Sequence, residues 1–99
     1  MGRYYLTNKA VEDLSTIWLY TYDTWSEKQA DKYYELILYY CKEIANNHKL
    51  GKNYAEIETE LIGYKASEHI IFYRIIRKDV IEITRILHSR MDLKNRIQA

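Results

Sequence analysis

The hydrophobic period of this chain changes once, and that change limits what it can fold into. Between residues 8 and 47 apolar side chains recur every three or four positions. From Leu61 to residue 88 they alternate or run together in β-branched stretches. No proline interrupts either half. Helices followed by strands, rather than alternating with them, predict an α+β fold in which a helical layer covers one sheet.

In the first half, Ala10, Val11, Leu14, Ile17, Trp18 and Thr21 fall on one stripe. Glu12, Asp13, Ser15, Thr16 and Asp23 take the other side, so a helix is expected from about 8 to 23. Thr7 or Asn8 supplies a side-chain oxygen for its first turn. Ser26 and Gln29 form a capping box, with Trp25 and Ala30 at the staple positions. Ala30, Tyr33 or Tyr34, Ile37, Tyr40 or Cys41, Ile44 and Ala45 then mark the face of a second helix over 27–47. At 1.5 Å per residue it is roughly 30 Å long. So short a link makes the two helices an antiparallel hairpin. Asn46, Asn47, His48 and Gly51 end the pattern.

In the second half, ELIGYKAS, HIIFYRII (69–76) and VIEITRIL (80–87) read as strands, with Lys78-Asp79 as a tight turn. Links this short make them antiparallel. Tyr4 to Leu6 is a further short edge strand. Strict alternation along the last strand puts Ile81, Ile83, Arg85 and Leu87 on the helix-facing side. It puts Val80, Glu82, Thr84, Ile86 and His88 on the open side. Arg85 then needs a carboxylate, and Asp13 on the first helix is the expected partner. The expected plan is one domain over 1–99: a helical hairpin over 8–47, a small antiparallel sheet over 61–88 and a tail over 89–99. The helices shield one side of that sheet, and its far side and the tail stay free.

Several functions are disfavoured at once. No apolar run reaches about 18 residues, so no membrane span is expected. The start MGRYYLTNKAVEDL carries no signal-type stretch, and the single Cys41 forms no internal disulfide, which together suggest a cytoplasmic protein. The net charge of +1 argues against a general nucleic-acid binder, and no direct sequence-specific DNA binding is expected. That charge is unevenly placed: residues 1–63 sum to −3 and residues 64–99 to +4. The basic third suits an acidic partner. No glycine-rich phosphate loop, metal-ligand spacing or nucleophile elbow is present, so neither cofactor nor metal is expected.

The end of the last strand, RILHSRMD, is the densest polar cluster. His48 closes a helix and His69 opens a strand, both structural positions. His88 beside Arg85 and Arg90 could instead act as acid–base on a phosphodiester, the arginines stabilising developing charge. It could equally hold the tail or a partner.

LTNKAVEDLSTIWLYT, WSEKQA, HIIFYRI and RILHSRMD together resemble the ParE toxins of the RelE/ParE superfamily, over Tyr4 to Asp92. The resemblance implies a helical hairpin on an antiparallel sheet, the fold that periodicity predicts independently. It implies a toxin of a type II toxin–antitoxin system that inhibits DNA gyrase and growth, with plasmid stabilisation as the setting. It also implies a ParD-like antitoxin as partner in a hetero-oligomer. The related RelE proteins cut mRNA on the ribosome, the alternative activity; His88, Arg85 and Arg90 would then be catalytic. Under the gyrase reading the expected contact residues are Trp25, Tyr64, Lys65, His88, Arg90, Met91 and Asp92, spread over the hairpin tip, the first long strand and the tail.

Overall fold

The computed structural model describes residues 1–98. Strand β1 (Arg3–Leu6) leads through Thr7 into α1 (Asn8–Thr24), and after Trp25 and Ser26 the chain returns in α2 (Glu27–Asn46). A 3-10 turn (His48–Leu50) precedes β2 (Lys52–Asn53), β3 (Ile62–Ala66), β4 (His69–Arg77), β5 (Val80–His88) and α3 (Leu93–Gln98). The five strands form one sheet in the order β1-β5-β4-β3-β2. The fold is α+β, as the periodicity implies. The sheet is mixed: β1 runs parallel to β5, from which two helices and three strands separate it along the chain, and the remaining pairs are antiparallel.

Both helices start where side-chain oxygens are available. Thr7 Oγ1 accepts from the Ala10 N–H at 3.1 Å, and Ser26 Oγ from the Gln29 N–H at 3.1 Å. The buried face of α1 is Ala10, Leu14, Ile17 and Thr21; that of α2 is Ala30, Ile37, Cys41, Ile44 and Ala45. Their spacing is the one the sequence shows, and these faces close over Ile71, Tyr73, Ile81, Ile83 and Ile86 of the sheet. Gly2 brings β1 against the end of α2, where an added Cβ would lie 1.8 Å from the Ala45 carbonyl oxygen. Its N–H donates to Asn46 Oδ1 at 2.9 Å.

The opposite face of the sheet is not free. Leu61, Ile70, Phe72 and Leu87 form a second buried cluster there, covered by Tyr54, Ile57, Leu93 and Ile97. This corrects the expectation of an open far side and an unattached tail: residues 93–98 are a short helix that closes part of that face.

The assignment of faces on β5 is also corrected. Tyr73 pairs with Ile83, but Phe72 pairs with Arg85, so Thr84 is an extra residue on β5. This β-bulge reverses the alternation beyond it. Ile86, not Leu87, therefore meets the helices, and Leu87 joins the far cluster. His88 follows Ile86 to the helix side, where it lies with Thr16, Ile17 and Tyr20 of α1. Thr7 holds the bulge in place: its hydroxyl donates to the Thr84 carbonyl at 2.8 Å, and its N–H to the Ile83 carbonyl at 3.0 Å.

Candidate functional site

Two histidines meet at the open end of the β4–β5 hairpin. The turn at Lys78-Asp79 starts the register with Arg77 opposite Val80, and His69 ends it opposite His88. The extra residue on β5 at Thr84 is matched by one on β4 at Ile76, so the two offsets cancel before the histidines are reached. Their rings lie edge to face, centroids 5.2 Å apart. With Thr16, Ile17, Tyr20, Arg90 and Met91 they line a cleft of about 390 Å³ between α1 and the strand ends.

Each ring is fixed through its Nδ1. The Arg90 N–H donates to His88 Nδ1 at 3.1 Å, in the turn that follows β5. Tyr33 Oη, from α2, lies 2.7 Å from His69 Nδ1. That phenol oxygen accepts the Glu68 N–H at 3.2 Å, and its own proton can be donated to the imidazole. With Tyr33 as donor the two rings, when neutral, share one tautomer, with Nδ1 as acceptor and Nε2–H as donor. Burial, reinforced by the neighbouring His88, pushes the His69 pKa down to about 4, so this ring is neutral at pH 7. Burial also raises the Tyr33 phenol above its ordinary value, which keeps its proton in place. Among the described residues no hydrogen bond engages either Nε2 or the Arg90 guanidinium.

Arg85 does not share this freedom. Its Nε and Nη2 donate to the two carboxylate oxygens of Asp13 at 2.8 and 3.0 Å, and Nη1 to the Arg96 carbonyl at 2.8 Å. The expected Asp13 partnership is present. Its charge-assisted bonds hold Arg85 above the ordinary arginine pKa. All three guanidinium nitrogens are thus engaged within the chain.

The other expected contact residues separate into groups. Arg90 and Met91 join His88 in the cleft. Trp25, 74% exposed, lines an adjacent cleft of about 290 Å³ with Tyr33, Ser67 and Glu68; His69 forms the wall between the two. Tyr64 is half-buried against Tyr40, ring centroids 5.7 Å apart, and Lys65 beside it is exposed; neither lines these clefts. Asp92 starts α3, accepting from Asn95 Nδ2 at 2.6 Å. His69, Tyr20 and Tyr33 are the residues that reading the sequence missed. The signal for His69 was present: a two-residue turn at 78–79 places residues 69 and 88 opposite each other by counting alone. Among the described residues no group of three or more His, Cys, Asp or Glu could hold a metal ion, and no helix is long and apolar enough to cross a membrane.

The chain resembles known proteins over nearly its full length. A family model described as the ParE toxin of type II toxin-antitoxin system, parDE, matches residues 4–93. Toxin ParE1 of Mycobacterium tuberculosis (strain ATCC 25618 / H37Rv) is 34% identical over 92 residues, covering 93% of this chain and 94% of that protein. Toxin ParE1 of Caulobacter vibrioides (strain ATCC 19089 / CIP 103742 / CB 15) is 28% identical over 94 residues, covering 95% and 96%. Among solved structures, a chain of the chromosomal ParDE TA system from P. aeruginosa superposes with a TM-score of 0.75 at 19% identity, over 89% of this chain and 96% of that one. The last comparison speaks for the fold, and the sequence matches speak for the family. This chain belongs to the ParE toxin family of type II toxin–antitoxin systems.

Proposed function

We propose that this toxin arrests growth in the cytoplasm by inhibiting DNA gyrase, and that a ParD-like antitoxin holds it inactive in a hetero-oligomer. The observation that carries the choice of target is the commitment of Arg85 to Asp13 and Arg96. An mRNA nuclease would draw on Arg85 or Arg90 against a phosphodiester and on an imidazole lone pair as general base, and only Arg90 is left for the first task. Arg85 is engaged elsewhere, and the Nδ1 lone pairs of His69 and His88 face Tyr33 and the Arg90 N–H. A neutral ring in this tautomer offers Nε2–H, which is a donor and not a base. Binding without chemistry fits these groups better, so no catalytic residue is assigned.

Trp25, His88, Arg90, Met91 and Asp92 are the proposed contacts with partners at the hairpin tip and the strand ends. Tyr64 and Lys65 sit where β3 runs past its short neighbour: β2 pairs only with Ile62 and Gly63, leaving the outer edge of Tyr64–Ala66 open for an added strand. The +4 charge of residues 64–99 favours an acidic antitoxin segment there.

Supercoiling assays with purified gyrase test the target. Loss of supercoiling with trapped cleavage complexes is expected; unchanged supercoiling removes the reading. Primer extension on translated mRNA after induction tests the alternative, and cuts within codons that vanish in His88→Ala would replace gyrase with the ribosome. Co-expression with the antitoxin should restore growth and yield a complex that co-purifies. A toxin that stays free would remove that part.

A further inference from the structure

The cleft between α1 and the ends of β4 and β5 is lined by nitrogen donors and by no carboxylate; the other polar side chains of its lining are Thr16 and Tyr20. Three donor-bearing side chains line it, His69, His88 and Arg90, and among the described residues no hydrogen bond engages the Nε2 of either ring or the Arg90 guanidinium. The rest of its wall includes Ile17, Tyr20 and Met91, which offer apolar surface. We infer that this cleft is a carboxylate-binding site, and that its occupant is an aspartate or glutamate side chain of a protein partner, its methylenes against Ile17 and Met91.

The donor set selects among ligands. A metal ion needs an imidazole lone pair, and each ring turns its lone pair to Tyr33 or to the Arg90 N–H. A nucleic-acid strand needs a run of cations along its phosphates. Arg90 is the one cation lining this cleft, and Asp13 and Glu68 lie close enough to His69 to act on its charge. A single carboxylate needs about one positive charge and two or three N–H donors, which His69, His88 and Arg90 can supply. Burial keeps His69 neutral, so its Nε2–H stays in place at pH 7. The inference rests on the same surface as the proposed partner contacts at His88, Arg90 and Met91, but its test needs neither gyrase nor antitoxin.

The test uses the purified full-length chain, with hexanoate as a carboxylate carrying an apolar tail. Hexanamide and inorganic phosphate are the comparison probes. Long-range proton–nitrogen NMR spectra should show both rings as Nε2–H tautomers. Hexanoate should move the ring signals of His69 and His88 saturably, with a dissociation constant of about 1–10 mM. Hexanamide should not move them, and phosphate should bind more weakly than hexanoate. Arg90→Gln, at an exposed position, should weaken hexanoate about tenfold. His88→Asn keeps an acceptor for the Arg90 N–H while removing the cleft donor, and should do the same. Absence of saturation by about 50 mM hexanoate, equal binding of hexanamide, or Nδ1–H tautomers would each overturn the site. Tighter binding of phosphate than of hexanoate would overturn the carboxylate assignment in favour of a phosphate ligand.

Discussion

Asp13 closes the edge of β5. Its Oδ2 accepts both the Arg85 Nε–H at 2.8 Å and the Ile86 backbone N–H at 2.9 Å, while Oδ1 takes Arg85 Nη2 at 3.0 Å. β1 pairs with β5 only as far as Ile83, so the strand beyond the bulge would otherwise present an unpaired N–H to α1. One helical carboxylate thus replaces the missing strand and neutralises the arginine beside it.

Asp13→Ala removes both partners at once. It should lower stability by about 2–4 kcal/mol, because a half-buried guanidinium and a strand N–H lose their acceptor. Asp13→Asn retains an oxygen for Ile86 and should cost about half as much. Urea unfolding followed by circular dichroism would measure both. Equal losses would mean that the ion pair contributes little beside the edge bond.

His69 makes stability depend on pH. The groups facing it are His88 from β5, Glu68 in its own turn, Asp13 from α1 and Tyr33 from α2. Its folded pKa, about 4, lies below the unfolded value of 6.5. The unfolded chain therefore takes up a proton first as the medium is acidified. The stability associated with neutral His69 is complete above pH 6.5 and is lost as pH falls from there through 4. The loss should reach about 1–2 kcal/mol, since water still screens part of the ring. Unfolding free energies of wild type and His69→Gln, measured from pH 7 to pH 4, should diverge in slope over this window. Parallel slopes would assign the acid sensitivity to other groups.

Tyr73 ties β4 to the segment after α2. Its ring is fully buried; its hydroxyl donates to the His48 carbonyl at 2.6 Å and accepts the Gly51 N–H at 3.1 Å. Tyr73→Phe leaves both backbone groups without this partner and should cost about 1–2 kcal/mol. Gly51→Ala should cost about 1–3 kcal/mol, since an added Cβ would lie 2.5 Å from that hydroxyl and 2.6 Å from the Ile62 side chain. Hydrogen exchange would report faster opening at Gly51 in both variants, and unaltered protection there would contradict the tie.

The short α3 covers apolar surface. Leu93→Asp places a charge against Leu61, Ile70, Phe72 and Leu87, and should cost about 1.5–3 kcal/mol. Lys94→Asp, one residue along on an exposed position, should cost less than about 0.5 kcal/mol. Thermal unfolding of the pair separates packing from charge.

The helices were legible because their signals are local. Thr7, Ser26 and the three- and four-residue spacing of Ala10, Leu14, Ile17 and Thr21 act within one or two turns of chain. The sheet was legible as strands and as a turn. Arg85 does pair with Asp13, but the expected alignment with Ile81 and Ile83 is corrected: the bulge sets Arg85 opposite Phe72 of the far cluster, and its guanidinium still reaches Asp13. Alternation failed beyond Ile83, because the bulge at Thr84 is held by Thr7, a residue 77 positions away. No pattern within β5 marks it.

The sequence by itself determined which segments are helix and strand, that two helices cover a sheet, and which family the chain resembles, since caps, periods and motifs are written in neighbouring residues. Only the tertiary structure decided which way His88 faces and what Leu93 and Ile97 cover. One extra residue in a strand exchanges its two faces, and the contacts that place that residue join parts of the chain far apart in sequence.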